Sequence, residues 1–273
     1  MAAKKIAFIG TGFMGEALLR GILKAELVKP AEIAASDVNT ARLEELSREL
    51  GIVAAADNAA AVSGAETILL AVKPQVLPGV LAGLAPHVTP DQLVLSIAAG
   101  VPLATLQDGL GAGVPVIRIM PNLLATVGAA ATALAPGAHA TQQHIERAQQ
   151  FFGAVGTTVC VAENLMNAVT ALSGSGPAYV CLVIEALADG GVEAGLSRAV
   201  AQQLAAQTVL GTARLILETG QHPAQVKDRV SSPAGTTIAG VRALERAGIR
   251  SAMMDAVEAA AKRSEELGRA AGK

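Results

Sequence analysis

The stretch Lys5-Ile6-Ala7-Phe8-Ile9-Gly10-Thr11-Gly12-Phe13-Met14-Gly15 decides the fold. Residues 5–9 have the character of a buried strand, and from residue 14 to 25 the apolar positions recur at helical spacing. Between them lies the pattern G-x-G-x-x-G, which is weak alone and informative when a strand precedes it and a helix follows. Gly10 permits a tight turn, Gly12 lets the backbone approach a pyrophosphate, and Gly15 allows helix and strand to pack closely. The helix N-terminus then offers free N–H groups and a partial positive charge to phosphates. Ile9, Thr11, Phe13 and Met14 complete this candidate dinucleotide turn. The bland alternative is a glycine-rich connection with no ligand.

Working outward, residues 32–36, 67–72, 93–97 and 114–120 read as further short apolar strands, and 40–50 as a helix stopped by Gly51. Short, fully apolar strands alternating with helices imply a parallel sheet covered on both faces. After Ala162 the period changes. Residues 163–173, 177–190, 197–219, 223–230 and 250–268 read as helices, with Ser197 as an N-cap, Gly220 as a stop and Pro223 in a first turn. The expected architecture is α/β: a Rossmann-type doubly wound parallel sheet in residues 1–162, then an all-α dimerisation domain in 163–273. The segment 177–187 is apolar almost all round apart from Glu185, so it needs covering on several sides. A small helical domain cannot supply that cover alone, which implies an interwoven homodimer.

Composition narrows the function. The 273 residues carry 23 acidic and 21 basic side chains, a net charge of −2, which leaves no electrostatic footprint for nucleic acid or an anionic membrane. Hydrophobic residues make up 52 % and charged residues 16 %, against a disordered or coiled-coil chain. With no Trp and one Tyr, base-stacking platforms are not expected. Cys160 and Cys181, the two cysteines, read as small core residues and exclude a disulfide framework or a multi-cysteine zinc site. His87, His139, His144 and His222 read as surface or cap residues, so no metal is expected. No apolar run approaches the roughly 18 residues of a membrane span, since residues 178–184 end at Glu185. The apolar run 6–9 breaks at Gly10, too short for a signal segment. A soluble, cytoplasmic protein is expected.

A carboxylate about 20 residues past the glycines normally holds the ribose 2′-hydroxyl of NAD. Asp37 stands there, but Ser36, Asn39, Thr40 and Arg42 surround the same spot and could hold a 2′-phosphate, so spacing leaves the choice open. Ala71-Val72-Lys73-Pro74 and Ile97-Ala98-Ala99 follow strand ends, where ligands of open parallel sheets sit. Lys73 reads equally as a solvated strand-end lysine. Asn58 could reach the ribose or nicotinamide, yet by itself reads as a helix-cap residue. A second candidate site is Ser231-Ser232-Pro233-Ala234-Gly235-Thr236-Thr237, small and polar residues before a helix. The N–H groups of Gly235, Thr236 and Thr237 could hold a carboxylate, each charge-assisted bond contributing on the order of 1.5–3 kcal/mol. An ordinary capped turn is the alternative.

The segments Ala168-Val169-Thr170-Ala171-Leu172-Ser173-Gly174-Ser175-Gly176-Pro177-Ala178-Tyr179 and Glu185-Ala186-Leu187-Ala188-Asp189-Gly190-Gly191, with Pro223, Val226, Val230, Ser231, Gly235 and Thr237, resemble pyrroline-5-carboxylate reductase. The resemblance runs in order over nearly the whole chain, the Rossmann glycines and Ala71-Val72-Lys73-Pro74 included. It implies reduction of 1-pyrroline-5-carboxylate to L-proline by hydride transfer from NAD(P)H, the last step of proline synthesis, with NADPH preferred and NADH accepted. It also implies that Val230, Ser232, Gly235, Thr236 and Thr237 hold the substrate, that the Thr237 hydroxyl meets the ring nitrogen, and that Glu163 lies near the substrate. At Arg229 the chain departs from relatives that carry Asn. A ring of dimers is a further implication. The alternatives are a related imine reductase, a hydroxyacid dehydrogenase, for which Lys227 beside Asp228 is a poor catalytic lysine, or a catalytically silent NAD(P)-binding regulator.

Overall fold

The structure, a computed structural model, describes residues 4–271. Eight strands form one sheet: β1 (Lys4–Ile9), β2 (Ile33–Ser36), β3 (Val53–Ala54), β4 (Ala65–Leu70), β5 (Leu93–Ser96), β6 (Val116–Met120), β7 (Ala130–Pro136) and β8 (Gly156–Cys160). Their order is β3-β2-β1-β4-β5-β6-β7-β8, so the chain reverses direction across the sheet between β1 and β4. All neighbours are parallel except β6 and β7. The connecting helices are α1 (Phe13–Lys24), α2 (Thr40–Leu50), α3 (Asn58–Val62), α4 (Leu77–Leu84), α5 (Leu103–Leu110) and α6 (Gln142–Gly153).

Alternation along each strand feeds two cores, one per face. In β1, Ile6 and Phe8 pack with Leu18, Ile22 and Phe152 on one face, while Ala7 and Ile9 pack with Leu70, Leu81 and Leu106 on the other. The doubly wound sheet expected from the sequence is present. Three strands lie outside that expectation. β3 has only two residues, β7 is alanine-rich and ends at Pro136, and β8 is Gly-Thr-Thr-Val-Cys. Alanine carries little intrinsic strand preference, so the pairing partner rather than the local sequence makes β7 a strand, whereas β8 has strand-forming Thr-Thr-Val but is not the buried, fully apolar run that marks the other strands.

After β8 the chain is helical, as expected: a short α7 (Met166–Val169), one π turn at Thr170–Gly174, then α8 (Gly176–Glu193), α9 (Arg198–Thr219), α10 (Pro223–Arg229), α11 (Thr236–Arg246) and α12 (Ile249–Ala271). Ser197 caps α9 by accepting from Val200 N–H at 3.4 Å, and Gly220 ends it in the left-handed conformation with φ 65°. The strands do end before residue 163, but the compact units divide elsewhere: one runs through Gly174 and resumes at Ala259, and the other is Ser175–Glu258. The reason is packing. Met166 is buried in the sheet's second core, and Ser264 donates to Asn167 Oδ1 at 2.9 Å, so both ends of the helical half belong to the sheet unit.

The second unit is different in kind. Its buried apolar residues are Ala188, Ala201, Ala205 and Val226, while Leu182, Leu210 and Leu217 are 65 %, 60 % and 79 % exposed. Cys160 and Cys181 are exposed rather than in a core, because Cys160 ends an edge strand and Cys181 lies on an uncovered part of α8. Residues Glu163–Glu193 form a helical stretch long and apolar enough to cross a membrane by length and composition, which corrects the expectation that no apolar run approaches a membrane span. Small residues and Glu185 interrupt that run in sequence, and the continuous helical path joins its parts.

Candidate active site

In the sheet unit, β1 ends at Ile9 and the chain turns sharply at Gly10, whose φ is 97°. A Cβ there would lie 2.7 Å from Ala71 O, and one at Gly15 would lie 2.5 Å from Gly10 O, so both positions require glycine. Gly12 differs: a Cβ would meet nothing within 4 Å. Gly12 is also the N-cap of α1, with no side chain bonded to the first-turn N–H groups. An open cradle at a helix N-terminus fits a dinucleotide pyrophosphate.

The neighbouring strand ends gather around this turn. Gly10 N–H donates to Ser36 O at 2.9 Å, Ala71 N–H to Ile9 O at 2.8 Å and Ile97 N–H to Leu70 O at 3.1 Å. Phe13, Lys73 and Ala99 are exposed, and Met14, Val72, Pro74 and Ile97 half-buried, whereas Ile9, Thr11, Ser36 and Ala98 are buried. Ile9 and Ala98 therefore offer backbone rather than side chain. Asp57, not Asn58, caps α3, by accepting from Ala60 N–H at 2.7 Å. Asn58 Oδ1 instead accepts the Ser36 hydroxyl at 2.7 Å, tying two candidate cofactor residues together.

Asp37 is held by the turn itself. Its Oδ2 accepts Thr11 N–H at 2.6 Å and the Thr11 hydroxyl at 3.0 Å, and its Oδ1 accepts Asn39 N–H at 2.8 Å. Arg42 bonds both oxygens of Glu16, at 2.8 and 2.7 Å, and Glu45 at 2.6 Å. Burial opposes ionisation of Glu16, but hydrogen bonds from Arg42 and Arg20 outweigh it and hold its carboxyl below the ordinary range.

In the second unit, the loop after α10 enters α11 through Gly235, an N-cap without a side-chain bond. Ala234 sits at φ 56°, a left-handed conformation that costs an L-residue on the order of 1–2 kcal/mol. Strain of this kind persists where the surroundings impose a shape, and it concentrates at ligand sites. Gly235 N–H is not free: it donates to Ser232 O at 3.0 Å, closing the turn. The main-chain donors left for an anion are those of the first α11 turn, starting with Thr236 and Thr237. Ser232 and Thr236 are exposed and Thr237 half-buried, and Val230 is exposed.

Glu163 belongs to the sheet unit. Its Oε1 accepts Leu103 N–H at 2.6 Å, capping the start of α5, and an Arg118 N–H at 3.2 Å. Arg118 is buried, and its signal was a lone cation inside the apolar strand Val116-Ile117-Arg118-Ile119-Met120. Asn122 is a second residue the sequence reading missed. It is buried, donates to Ser173 O at 3.0 Å and accepts from Ala131 N–H at 3.3 Å, so it pins the π turn against the end of β6. Nothing in its local sequence marks it. His144 and His222 are capping residues, as expected. Among the described residues no group of His, Cys, Asp and Glu could hold a metal.

The chain is 54 % identical to a pyrroline-5-carboxylate reductase of Methanosarcina acetivorans over 98 % of its own length and 100 % of that protein's. The chain belongs to the pyrroline-5-carboxylate reductase family. A reductase of Synechocystis is 52 % identical over 97 % of the chain and 98 % of that protein. The family model described as pyrroline-5-carboxylate reductase dimerisation matches residues 163–267, and a model described as NADP oxidoreductase, coenzyme F420-dependent, matches 5–100. Among solved structures, a Coxiella burnetii pyrroline-5-carboxylate reductase superposes with a TM-score of 0.93 at 34 % identity, covering 97 % of this chain and 98 % of that one. A Plasmodium falciparum pyrroline carboxylate reductase with NADP bound gives 0.85 at 30 % identity, covering 98 % and 99 %. The family's members are NAD(P)H-dependent oxidoreductases acting on the CH–NH group. Lys227 pairs with Asp228 at 3.2 Å, which leaves it poorly suited to the catalytic lysine of a hydroxyacid dehydrogenase.

Proposed function

We propose that the protein reduces 1-pyrroline-5-carboxylate to L-proline with NAD(P)H, the Gly10–Gly15 turn holding the nucleotide and the α11 N-terminus the imine. The observation that carries it is the open Gly12 cradle flanked by two glycines that no other residue can replace. When bound, the reduced nicotinamide supplies the hydride for the C=N carbon. The protein's part is to hold the imine still and to manage its nitrogen. The N–H groups of Thr236 and Thr237, with the Ser232 hydroxyl, hold the substrate carboxylate, and Gly235 and Val230 shape the wall. The Thr237 hydroxyl donates to the ring nitrogen and orients it as that atom gains its proton. The imine carbon is already electrophilic, so no nucleophilic side chain is needed. The family resemblance assigns Glu163 to the substrate as well, and its bonds to Leu103 N–H and Arg118 hold its carboxylate in place.

NADPH enters this reading through the NADP held by the Plasmodium relative. The exposed leucines of α8 and α9 pack against a second copy, giving a homodimer and, by further association, a ring of dimers. That packing explains the apolar helix 163–193 without a membrane, and the enzyme is cytoplasmic. Steady-state oxidation of NADPH and NADH with pyrroline-5-carboxylate tests the reading. Turnover with that imine supports it; tight nucleotide binding without turnover, or turnover only with other imines or hydroxyacids, overturns it.

A further inference from the structure

We propose that Ser264 and Gly268, near the end of α12, are positioning residues for hydride transfer: they fix the loop 97–102, which walls the nicotinamide end of the cofactor crevice. This deepens the reading of the sheet unit as the NAD(P)H site and rests on it.

Strand order tells the two ends of the crevice apart. A dinucleotide lies across the point where that order reverses, here between β1 and β4. Its pyrophosphate sits on the Gly10–Gly15 turn and its adenosine ribose at the end of β2. The nicotinamide half is left to the ends of β4 and β5, and Ile97, Ala98 and Ala99 run on directly from β5. Ala98 is buried and Ala99 carries a single methyl, so this loop meets a ligand chiefly with backbone. What must be fixed is where that backbone stands, because hydride transfer is sensitive to sub-ångström placement of the ring.

The loop is fixed from outside itself. Ile97 N–H donates to Leu70 O at 3.1 Å, which ties its start to β4, and Glu163 Oε1 accepts Leu103 N–H at 2.6 Å just past its end. Its middle, Gly100 at φ 76°, is met by α12. A Cβ on Gly268 would lie 3.3 Å from Gly100 O, closer than side chains ordinarily pack, and one on Gly100 would lie 4.0 Å from the Gly268 backbone. Backbone rests against backbone here. Alanine is the better helix former inside α12, so glycine at 268 serves the approach to Gly100 and not the helix. Ser264 lies one turn earlier on the same face of α12. It is buried, and its hydroxyl donates to Asn167 Oδ1 at 2.9 Å. Asn167 follows Met166, which packs in the same core as Ala98, Val101 and Leu103. That bond therefore anchors α12 to the packing that carries the loop, and Gly268 sets how closely the loop can approach.

The test uses the wild type, Gly268→Ala, Gly268→Val, Ser264→Ala and Ser264→Thr. NADPH and adenosine 2′,5′-bisphosphate are titrated calorimetrically, and kcat and NADPH KM are measured with pyrroline-5-carboxylate. The bisphosphate occupies only the adenosine end, so its affinity should not change in any variant. In Gly268→Val, NADPH should bind about tenfold more weakly and kcat should fall about tenfold, with smaller changes of the same kind in Gly268→Ala. Gly268→Ala should melt no lower than the wild type, which separates a displaced loop from a weakened fold even if Gly268→Val folds poorly. Ser264→Ala should behave like Gly268→Ala, and Ser264→Thr, which keeps the hydroxyl, should recover wild-type values. Wild-type NADPH binding and kcat in folded Gly268→Ala and Ser264→Ala, or an equal loss of NADPH and bisphosphate affinity, overturns the role of α12. Absence of turnover in the wild type would instead strike the proposed reaction, and the paired titrations would still judge the loop.

Discussion

The sheet unit and the helical unit handle apolar surface in opposite ways. In the first, Phe8, Ile22, Leu70 and Phe152 are buried, and both faces of the sheet are covered by the unit's own helices. In the second, the side chains buried between α8 and α9 are alanines, with Ile184 and Val192 packed beside them, and the leucines face outward. Burial of a Leu side chain contributes on the order of 1.5–3 kcal/mol, so the first unit holds its stabilisation internally while the second leaves much of it to be gained by association. The glycine turn is preorganised within one chain. The α11 loop stands in the unit whose leucines remain exposed.

Breaking the association should have the largest effect. Leu204, 54 % exposed on α9, becomes a buried charge in the proposed dimer as Leu204→Asp. We expect a monomer by light scattering and activity lower by about a hundredfold. A fully active dimer would show that the outward leucines are not the interface.

Gly12→Val probes the self-contained half. A Cβ there meets no protein atom within 4 Å, so thermal stability and oligomer size should stay near wild type while nucleotide affinity falls by about a hundredfold. Unimpaired nucleotide titration would remove the pyrophosphate from the cradle. Thr237→Ala sharpens the contrast from the other side: kcat should fall about ten- to a hundredfold with nucleotide KM nearly unchanged. A rise in nucleotide KM alone would move Thr237 from imine to cofactor.

Smaller effects test the scaffold. Glu163→Gln keeps an acceptor for Leu103 N–H but leaves the buried Arg118 without its counter-charge, so the melting temperature should drop by the equivalent of about 1–2 kcal/mol. No change would make that ion pair dispensable. Smallest is the pH response of Glu16. Its folded-state pKa is depressed, so its stabilisation is full above the unfolded value and disappears as pH falls through the folded one. Stability should therefore fall less steeply on acidification in Glu16→Gln than in the wild type. Parallel curves would mean the Arg20–Glu16–Arg42 network contributes nothing to acid stability.

Local sequence sufficed where an element carries its own signal. β1, α1 and α2 follow from a short apolar run, the glycine spacing, helical periodicity and the Gly51 stop, with Gly51 in the left-handed conformation at φ 73°. β7 carried no such signal, since an alanine-rich strand exists only because its neighbours supply partners, and β8, for all its Thr-Thr-Val, is not a buried apolar run. The same holds at the site. The small residues of 231–237 were readable, but the loss of Gly235 N–H to Ser232 depends on a turn that only the folded loop defines. Cys181 looks like a core residue in a hydrophobic run and is exposed, because a run records apolarity and not what lies opposite.

The amino-acid order alone determined that a strand–glycine–helix unit opens the sheet unit and that a parallel sheet gives way to helices near residue 160. Those properties come from backbone freedom and periodicity, which act over a few residues. Three-dimensional packing decided that Asp37 is gripped by Thr11 and Asn39, that Arg118 answers Glu163 across 45 positions, and that Asn122 anchors the π turn. Such contacts join residues far apart in the chain, and their partners are set by how the elements dock, which no local pattern encodes.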